Sequence, residues 1–184
     1  WNTKVLSEAI LGRSHRSKVA LKKISDVLDL TKEILGIPED YKVGIVPASD
    51  TGAIEMLMWS MLGYKPIEVL AWESFGMDWV KDINEQLKIN NTKTHLAEYG
   101  KIVDLQKVNF NHDVLFTWNG TTSGVTVPDG DWIDDKREGI TFCDATSAVF
   151  SMDLPWKKLD ATTFSWQKVL GGEAQHGVIV MSPK

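Results

Sequence analysis

The stretch Phe164-Ser165-Trp166-Gln167-Lys168-Val169-Leu170-Gly171-Gly172 sets one lysine between an apolar run and a pair of glycines. Upstream, the apolar run from Ile140 to Cys143 ends on Asp144. A lysine amine can condense with a carbonyl group, and an aspartate can keep a heterocyclic nitrogen protonated, so the two side chains form a chemically useful pair. On its own, this pattern is weak evidence for a functional site, because the chain has 20 Lys and Arg residues and some lysine must follow some aspartate.

Apolar segments alternate between strand-like and helix-like spacing along the chain. The pattern predicts helices over 18–35, 52–62 and 75–87, and short strands over 43–46, 67–71, 114–118, 139–143, 161–165 and 178–181. Such alternation favours an α/β fold with a mainly parallel sheet flanked by helices. Ligands of these sheets bind at the carboxyl ends of the strands, where Thr121, Asp144 and Lys168 are predicted to lie.

Composition limits the class of protein. A chain of 184 residues with 43% hydrophobic side chains can bury one substantial core, so one domain is expected. The net charge of −5 and the scattered basic residues argue against a nucleic-acid partner. No run approaches the roughly 20 apolar residues of a membrane span, and no signal segment opens the chain. The single cysteine, Cys143, fits a reducing compartment, so a cytoplasmic location is expected.

Five short motifs occur in the order of one known family, over nearly the whole chain. They are Ser14-His15-Arg16, Ser49-Asp50-Thr51-Gly52-Ala53, Asn119-Gly120-Thr121, Asp144-Ala145-Thr146-Ser147 and Trp166-Gln167-Lys168. With them the chain resembles the fold-type I, class V aminotransferases, and within these the phosphoserine aminotransferase family. The resemblance implies the large domain of a transferase that depends on pyridoxal 5′-phosphate (PLP). Because family members are about twice as long, residues 1–184 are expected to be part of that domain, with its C-terminal part and the small domain missing.

The resemblance assigns the chemistry to three residues. Lys168 is expected to be the catalytic residue, as covalent anchor of PLP and as general base and acid. Asp144 is expected to pair with the ring nitrogen. Thr121 is expected either to donate to the phenolic oxygen of the ring or to brace Asp144, although a hydroxyl that only satisfies a turn fits the sequence too.

The cofactor phosphate is expected at the start of the second predicted helix. Asp50 and Thr51 stand there between a strand and a helix, where backbone N–H groups and the helix dipole favour an anion. An ordinary helix N-cap explains the same residues. In some relatives a glycine and an arginine occupy these two places, so the phosphate would depend more on backbone amides and on the Thr51 hydroxyl. Gln167 matches a family position that contacts the same phosphate.

An aromatic ring is expected over the face of the cofactor. Phe75 aligns with the family position better than Trp72 does, although either side chain could be core. Trp79 is predicted to be a core or dimer-interface residue. No metal site is predicted, because His95, His112 and His176 lack the spacing of metal ligands.

The predicted substrate-binding residues are His15 and Arg16, which the resemblance assigns to a substrate phosphate. An arginine fork and a histidine donor suit a dianion, although a basic loop near the start of the chain explains them too. The resemblance therefore implies a homodimeric phosphoserine:2-oxoglutarate aminotransferase of serine biosynthesis, with phosphoserine, 3-phosphohydroxypyruvate, glutamate and 2-oxoglutarate as small-molecule substrates. The alternatives are another class V enzyme, of the serine or alanine:glyoxylate type, and an inactive cofactor-binding or structural fragment.

Overall fold

The computed structural model describes residues 2–184, which divide into two compact units at residue 37. The first unit holds a short 3₁₀ helix, Thr3–Glu8, and helix α1, Lys18–Leu35. Helix α1 begins after Ser17, whose Oγ accepts a hydrogen bond from the N–H of Ala20 over 3.3 Å. It ends at Gly36, whose φ of 62° is the left-handed conformation that favours glycine. The predicted helix over 18–35 is confirmed.

The second unit, residues 38–184, is built on a seven-stranded sheet. Its strands are β1 Lys42–Pro47, β2 Ile67–Ala71, β3 Thr92–Leu96, β4 Asp113–Thr117, β5 Thr141–Asp144, β6 Ala161–Ser165 and β7 His176–Met181. They lie in the order β1-β7-β6-β5-β4-β2-β3. Strand β7 pairs antiparallel with both of its neighbours, and the other pairs are parallel. The α/β fold with a mainly parallel sheet is confirmed.

Six of the seven strands match the predicted segments, and β3 is the one that the sequence did not reveal. Its residues, Thr-Lys-Thr-His-Leu, lack the apolar run that marks the other strands. This polarity follows from its place at the edge of the sheet, where no other strand of residues 2–184 pairs with its outer side. Edge strands carry the weakest apolar signal, so hydrophobic patterning misses them most easily.

Two helices cover one face of the sheet. Helix α2 spans Ser49–Met61, and helix α3 spans Ser74–Lys81 and continues as a π-helical turn, Asp82–Gln86. Their apolar side chains pack on the sheet around Ile54, Met58, Trp79 and Ile83, which are at most 2% exposed. The helices predicted over 52–62 and 75–87 are confirmed. Among residues 2–184, no helix is both long enough and apolar enough to cross a membrane.

Aromatic side chains cover the opposite face of the sheet. Phe116 of β4 meets Trp132 edge to face, with ring centroids 5.0 Å apart, and Phe164 of β6 meets Phe150 at 5.9 Å. Trp132 and Phe150 come from the long irregular connections on either side of β5. The helices on one face and the aromatic side chains on the other bury the sheet. The ends of its strands are left to form a site.

Candidate active site

A small cavity opens at the carboxyl ends of the parallel strands. It collects side chains from the turns that follow β1, β2, β4, β5 and β6, and its lining consists of Ser49, Asp50, Thr51, Phe75, Trp79, Thr121, Asp144, Thr146, Gln167 and Lys168. Every cofactor-binding residue predicted in this unit therefore lies on one cavity. The topology brings them together because the parallel strands all end at the same edge of the sheet.

Asp144, the last residue of β5, is buried at the floor of the cavity with both carboxylate oxygens engaged. Its Oδ1 accepts a hydrogen bond from the N–H of Thr146 over 3.0 Å, and its Oδ2 accepts one from Nε1–H of Trp79 over 3.3 Å. Burial raises the pKa of Asp144, and these donors oppose the rise. In the structure, Trp79 and Thr146 therefore hold Asp144 in place. The sequence did not assign either residue to the site.

Trp79 was predicted to be a core or interface residue, and it is buried, yet its indole also lines the cavity. One signal in the sequence could have revealed this position. Trp79 follows Phe75 by four residues, so a helix puts the two rings on one face. A site that uses Phe75 therefore has Trp79 beside it.

The side chain of Asp50 points to Asp144. Asp50 lies in the first turn of α2, is buried, and is in contact with the Asp144 carboxyl. Burial first, and then the charge of Asp144, raise the pKa of Asp50 well above its usual range. A carboxyl in this position is unsuited to hold a phosphate, so a contribution of Asp50 to an anion site would come from its backbone N–H.

The turn that leads into α2 is held in an unusual conformation. Ala48 and Ser49 have φ angles of 69° and 63°, in the left-handed region that non-glycine residues rarely occupy. Both backbone N–H groups donate to the carbonyl of Gln175, over 2.8 and 3.2 Å. Close packing reinforces the turn, because a Cβ on Gly177 would lie 2.2 Å from the carbonyl oxygen of Ser49.

This turn directs the start of α2 toward the cavity. Gly52 makes the first intrahelical hydrogen bond, to the carbonyl of Ala48 over 2.8 Å. The N–H groups of Asp50 and Thr51 precede that bond and have no carbonyl one turn earlier in the helix to accept from them. Together with the exposed Thr51 hydroxyl, they form a group of donors suited to an anion, and the predicted phosphate site at this end of the helix stays a prediction.

Lys168 lies in a tight turn after β6 and lines the cavity. The turn closes where the N–H of Gly172 donates to the carbonyl of Trp166 over 2.9 Å, and that of Gly171 to the carbonyl of Lys168 over 3.1 Å. Gln167 is hydrogen-bonded through Oε1 to the hydroxyl of Ser165. The apolar neighbours of Lys168 in the sequence do not bury it, since its side chain is exposed.

The structure separates the two aromatic candidates. Phe75, in the first turn of α3, is 38% exposed and lines the cavity. Trp72 is fully buried, and its Nε1–H donates to the carbonyl of Val125 over 3.0 Å. Phe75 is therefore the ring that a ligand could reach. Thr121 follows Gly120, where an added Cβ would lie 2.5 Å from Cγ of Glu73, so the chain passes close under α3.

His15 and Arg16 lie in the first unit, and both are exposed. They belong to a turn before α1, in which the N–H of Arg16 donates to Oγ of Ser14 over 3.1 Å. The two side chains are accessible to a ligand, and their assignment to a substrate phosphate stays a prediction.

Two of the remaining histidines have a structural partner outside the cavity. Glu68 of β2 is fully buried and hydrogen-bonds to Nε2 of His95 and, over 3.0 Å, to Nδ1 of His112, while Nζ of Lys93 lies 3.3 Å away. Burial opposes ionisation of Glu68, but these hydrogen bonds outweigh it and lower its pKa. Within residues 2–184, no group of three or more His, Cys, Asp or Glu side chains is arranged to hold a metal ion.

Curated relatives match the chain over almost all of its length. It is 60% identical over 179 residues to the phosphoserine aminotransferase of Methanosarcina mazei, a match that covers 97% of this chain and 48% of that protein. It is 56% identical over 184 residues to the phosphoserine aminotransferase of Methanosarcina barkeri, covering 100% of this chain and 50% of that protein. The chain thus spans about half the length of the curated relatives it matches. No protein-family model matches it.

Solved structures share the fold. The phosphoserine aminotransferase of Cytophaga hutchinsonii superposes with a TM-score of 0.85 at 27% identity, over 98% of this chain and 50% of that one. An alanine–glyoxylate aminotransferase from Nostoc superposes with a TM-score of 0.82 at 15% identity, over 99% of this chain and 51% of that one, which shows the fold alone. The resemblance to phosphoserine aminotransferases and the predicted fold class are confirmed.

Proposed function

We propose that this chain is part of a PLP-dependent phosphoserine:2-oxoglutarate aminotransferase of serine biosynthesis. One observation carries the proposal: an accessible lysine, a buried aspartate and an open helix N-terminus line the same cavity. The match to two phosphoserine aminotransferases at 56% and 60% identity supports the subfamily.

The residues present fit PLP. The cofactor carries an aldehyde, a basic ring nitrogen, a phenolic oxygen and a phosphate. The cavity offers the Lys168 amine for the aldehyde, the Asp144 carboxylate for the nitrogen and the start of α2 for the phosphate. Two buried polar atoms at this edge, Oδ1 of Asp50 and Oγ1 of Thr146, have no hydrogen-bond partner in the described part of the chain, as expected for a site shaped for a polar ligand.

Each side chain then has a definite task. PLP, when bound, supplies an electron-accepting ring that makes the Cα–H of an amino acid acidic. Asp144, held by Trp79 and Thr146, keeps the ring nitrogen protonated, and Phe75 covers one face of the ring. Nζ of Lys168 would move a proton from Cα of the amino acid to C4′ of the cofactor in one half-reaction, and from C4′ to Cα of the acceptor in the other. Thr51, Gln167 and the α2 amides hold the phosphate, and Thr121 donates to the phenolic oxygen.

The substrate assignment depends on His15 and Arg16. A guanidinium and an imidazole suit the dianionic phosphate of phosphoserine or 3-phosphohydroxypyruvate better than they suit an uncharged side chain. Glutamate would donate the amine in the other half of the reaction and leave as 2-oxoglutarate. A class V enzyme of the serine or alanine:glyoxylate type would have no substrate phosphate for this pair to bind.

We propose in addition that the protein acts as a homodimer in the cytoplasm. The outer face of α2 supports the dimer, because Trp59 is 62% exposed and Met56 beside it is 43% exposed. The buried free thiol of Cys143 fits a reducing compartment.

Amine transfer measured with the complete protein tests the proposal. Loaded with PLP, it should transfer the amine of phosphoserine to 2-oxoglutarate much faster than the amine of serine or alanine to glyoxylate. The reverse preference would assign it to the neighbouring class V enzymes. A protein that shows no PLP absorbance after loading would have no aminotransferase function at all.

A further inference from the structure

Two carboxyl groups lie in contact at the floor of the cavity, and only one of them has a role in the proposed reaction. Asp144 and Asp50 are 8% and 6% exposed, so neither is well hydrated. Two adjacent buried carboxylates cannot both be ionised at low cost, because their charges repel in a poorly polarisable environment. Such a pair therefore holds one proton over a wide pH range.

The hydrogen-bond donors around the pair decide which carboxyl carries the proton. Asp144 accepts from two N–H groups, those of Thr146 and of the Trp79 indole, and both favour its ionised form. Within residues 2–184, Oδ1 of Asp50 has no hydrogen-bond donor. The hydroxyls of Thr146 and Thr163 lie beside Asp50 without the geometry of a completed hydrogen bond. The negative charge is thus favoured on Asp144 and the proton on Asp50.

We propose that Asp50 is a positioning residue, a protonated carboxylic acid whose O–H donates to Asp144 and keeps that carboxylate ionised and oriented toward a cationic ring nitrogen. Asp50 then completes a set of three donors around Asp144, with one from α2, one from α3 and one from the turn after β5. The statement about the ring rests on the proposed function. The statement about the proton concerns this chain alone.

The other titratable groups near Asp50 agree with this assignment. Cys143 of β5 is fully buried, and burial first, followed by the charge of Asp144, raises the pKa of its thiol well above the usual range, so the thiol stays neutral. Lys168 lines the same cavity from the turn after β6, but its side chain is exposed and so belongs to the solvated side of the site. Asp144 is therefore the charge that acts on Asp50 inside the cavity.

The first test needs no cofactor. Infrared spectra of the cofactor-free complete protein, labelled with ¹³C in the aspartate carboxyl groups, should show the C=O band of a protonated carboxylic acid at neutral pH. The band should disappear in Asp50→Asn and remain in Asp113→Asn, a second buried aspartate that lies outside the cavity. A wild-type spectrum without such a band, or a band that Asp50→Asn leaves intact, would refute the proposal even if no variant folded well.

The second test measures the dissociation constant for PLP. Asp50→Ala should weaken binding by about tenfold, because Asp144 loses a charge-assisted donor. Asp50→Asn should recover most of that loss, since its amide has the shape of the acid and keeps an N–H donor. Asp144→Asn removes the negative charge itself and should therefore weaken PLP binding more than Asp50→Asn does. Equal losses for Asp50→Asn and Asp144→Asn would show that Asp50 carries the charge.

The two tests separate this inference from the proposed function. If the infrared band is absent while PLP still labels Lys168, the role of Asp50 is wrong and the aminotransferase assignment stands. If the band is present and PLP does not bind, the proton is where we place it and the cofactor is wrong.

Discussion

The indole of Trp79 donates a hydrogen bond from Nε1 to Oδ2 of Asp144 over 3.3 Å. This contact joins the middle of α3 to the end of β5 and fixes the plane of the carboxylate at the floor of the cavity. Asp144 thus depends on a neighbouring helix for its orientation, in addition to its own turn.

Changing Asp144 should separate chemistry from cofactor retention. Asp144→Ala should reduce the rate of transamination far more than it reduces PLP retention, because the phosphate contacts at α2 remain. Trp79→Phe keeps the ring and removes one donor, which is worth about 1.5–3 kcal/mol at a charged acceptor. It should therefore lower activity less than Asp144→Ala does. Single-turnover rates and bound PLP by absorbance measure both effects, and near-normal turnover in Asp144→Ala would mean that another acid pairs with the ring.

Lys168 should carry the cofactor covalently. Reduction of the PLP-loaded complete protein with borohydride, followed by peptide mapping, should place a pyridoxyl group on Lys168, whose amine lines the cavity. Lys168→Ala should remove the label, and Lys157→Ala, a lysine of the loop between β5 and β6, should leave it in place. A label on any other lysine contradicts the assignment.

Arg16 should discriminate between the two amino donors. A charge-assisted pair between Arg16 and the substrate phosphate, worth about 1.5–3 kcal/mol, predicts that Arg16→Ala lowers kcat/KM for phosphoserine by about one to two decades. The glutamate half-reaction should suffer less, because glutamate carries a carboxylate there instead of a dianion. Arg13→Ala, an exposed arginine three residues earlier, serves as the matched control. Equal losses for both donors would remove the phosphate role of Arg16.

Glu68 should make the stability of the fold depend on pH on the acid side. Its lowered pKa means that the folded state stabilises the ionised form of Glu68. The resulting gain in the free energy of unfolding is complete above the unfolded pKa of about 4.3, and it is lost as the pH falls through the lower pKa of the folded state. Glu68→Gln should cost about 2 kcal/mol of unfolding free energy at neutral pH and flatten this acid dependence. Urea unfolding at several pH values measures both, with the exposed Glu98→Gln as control. An unchanged slope in Glu68→Gln would show that the histidines do not stabilise its charge.

Hydrophobic patterning predicted most of this sheet because six of its strands are buried or half-buried apolar segments. It could not predict that β7 runs antiparallel, since strand direction depends on how the turn after Lys168 leads the chain back. The family motifs predicted the cavity residues. The contacts of Trp79 and Asp50 with Asp144 could not be predicted from the sequence, because both residues lie far from it along the chain and meet it only when the two helices pack on the sheet. The i, i+4 spacing to Phe75 indicated only that Trp79 lies beside the site.

The pairing of β1 with β7 has a consequence for synthesis on the ribosome. Strand β1 lies at the edge of the sheet as residues 2–184 form it, and its neighbour β7 comes after the other six strands in the sequence. The turn before α2 donates two hydrogen bonds to the carbonyl of Gln175. During synthesis, β1 therefore cannot pair with β7 until residues 175–181 have been made. Until then the strained turn at Ala48 and Ser49 lacks its acceptor. The turn at the start of α2 is thus completed late, after the central parallel strands have already left the exit tunnel.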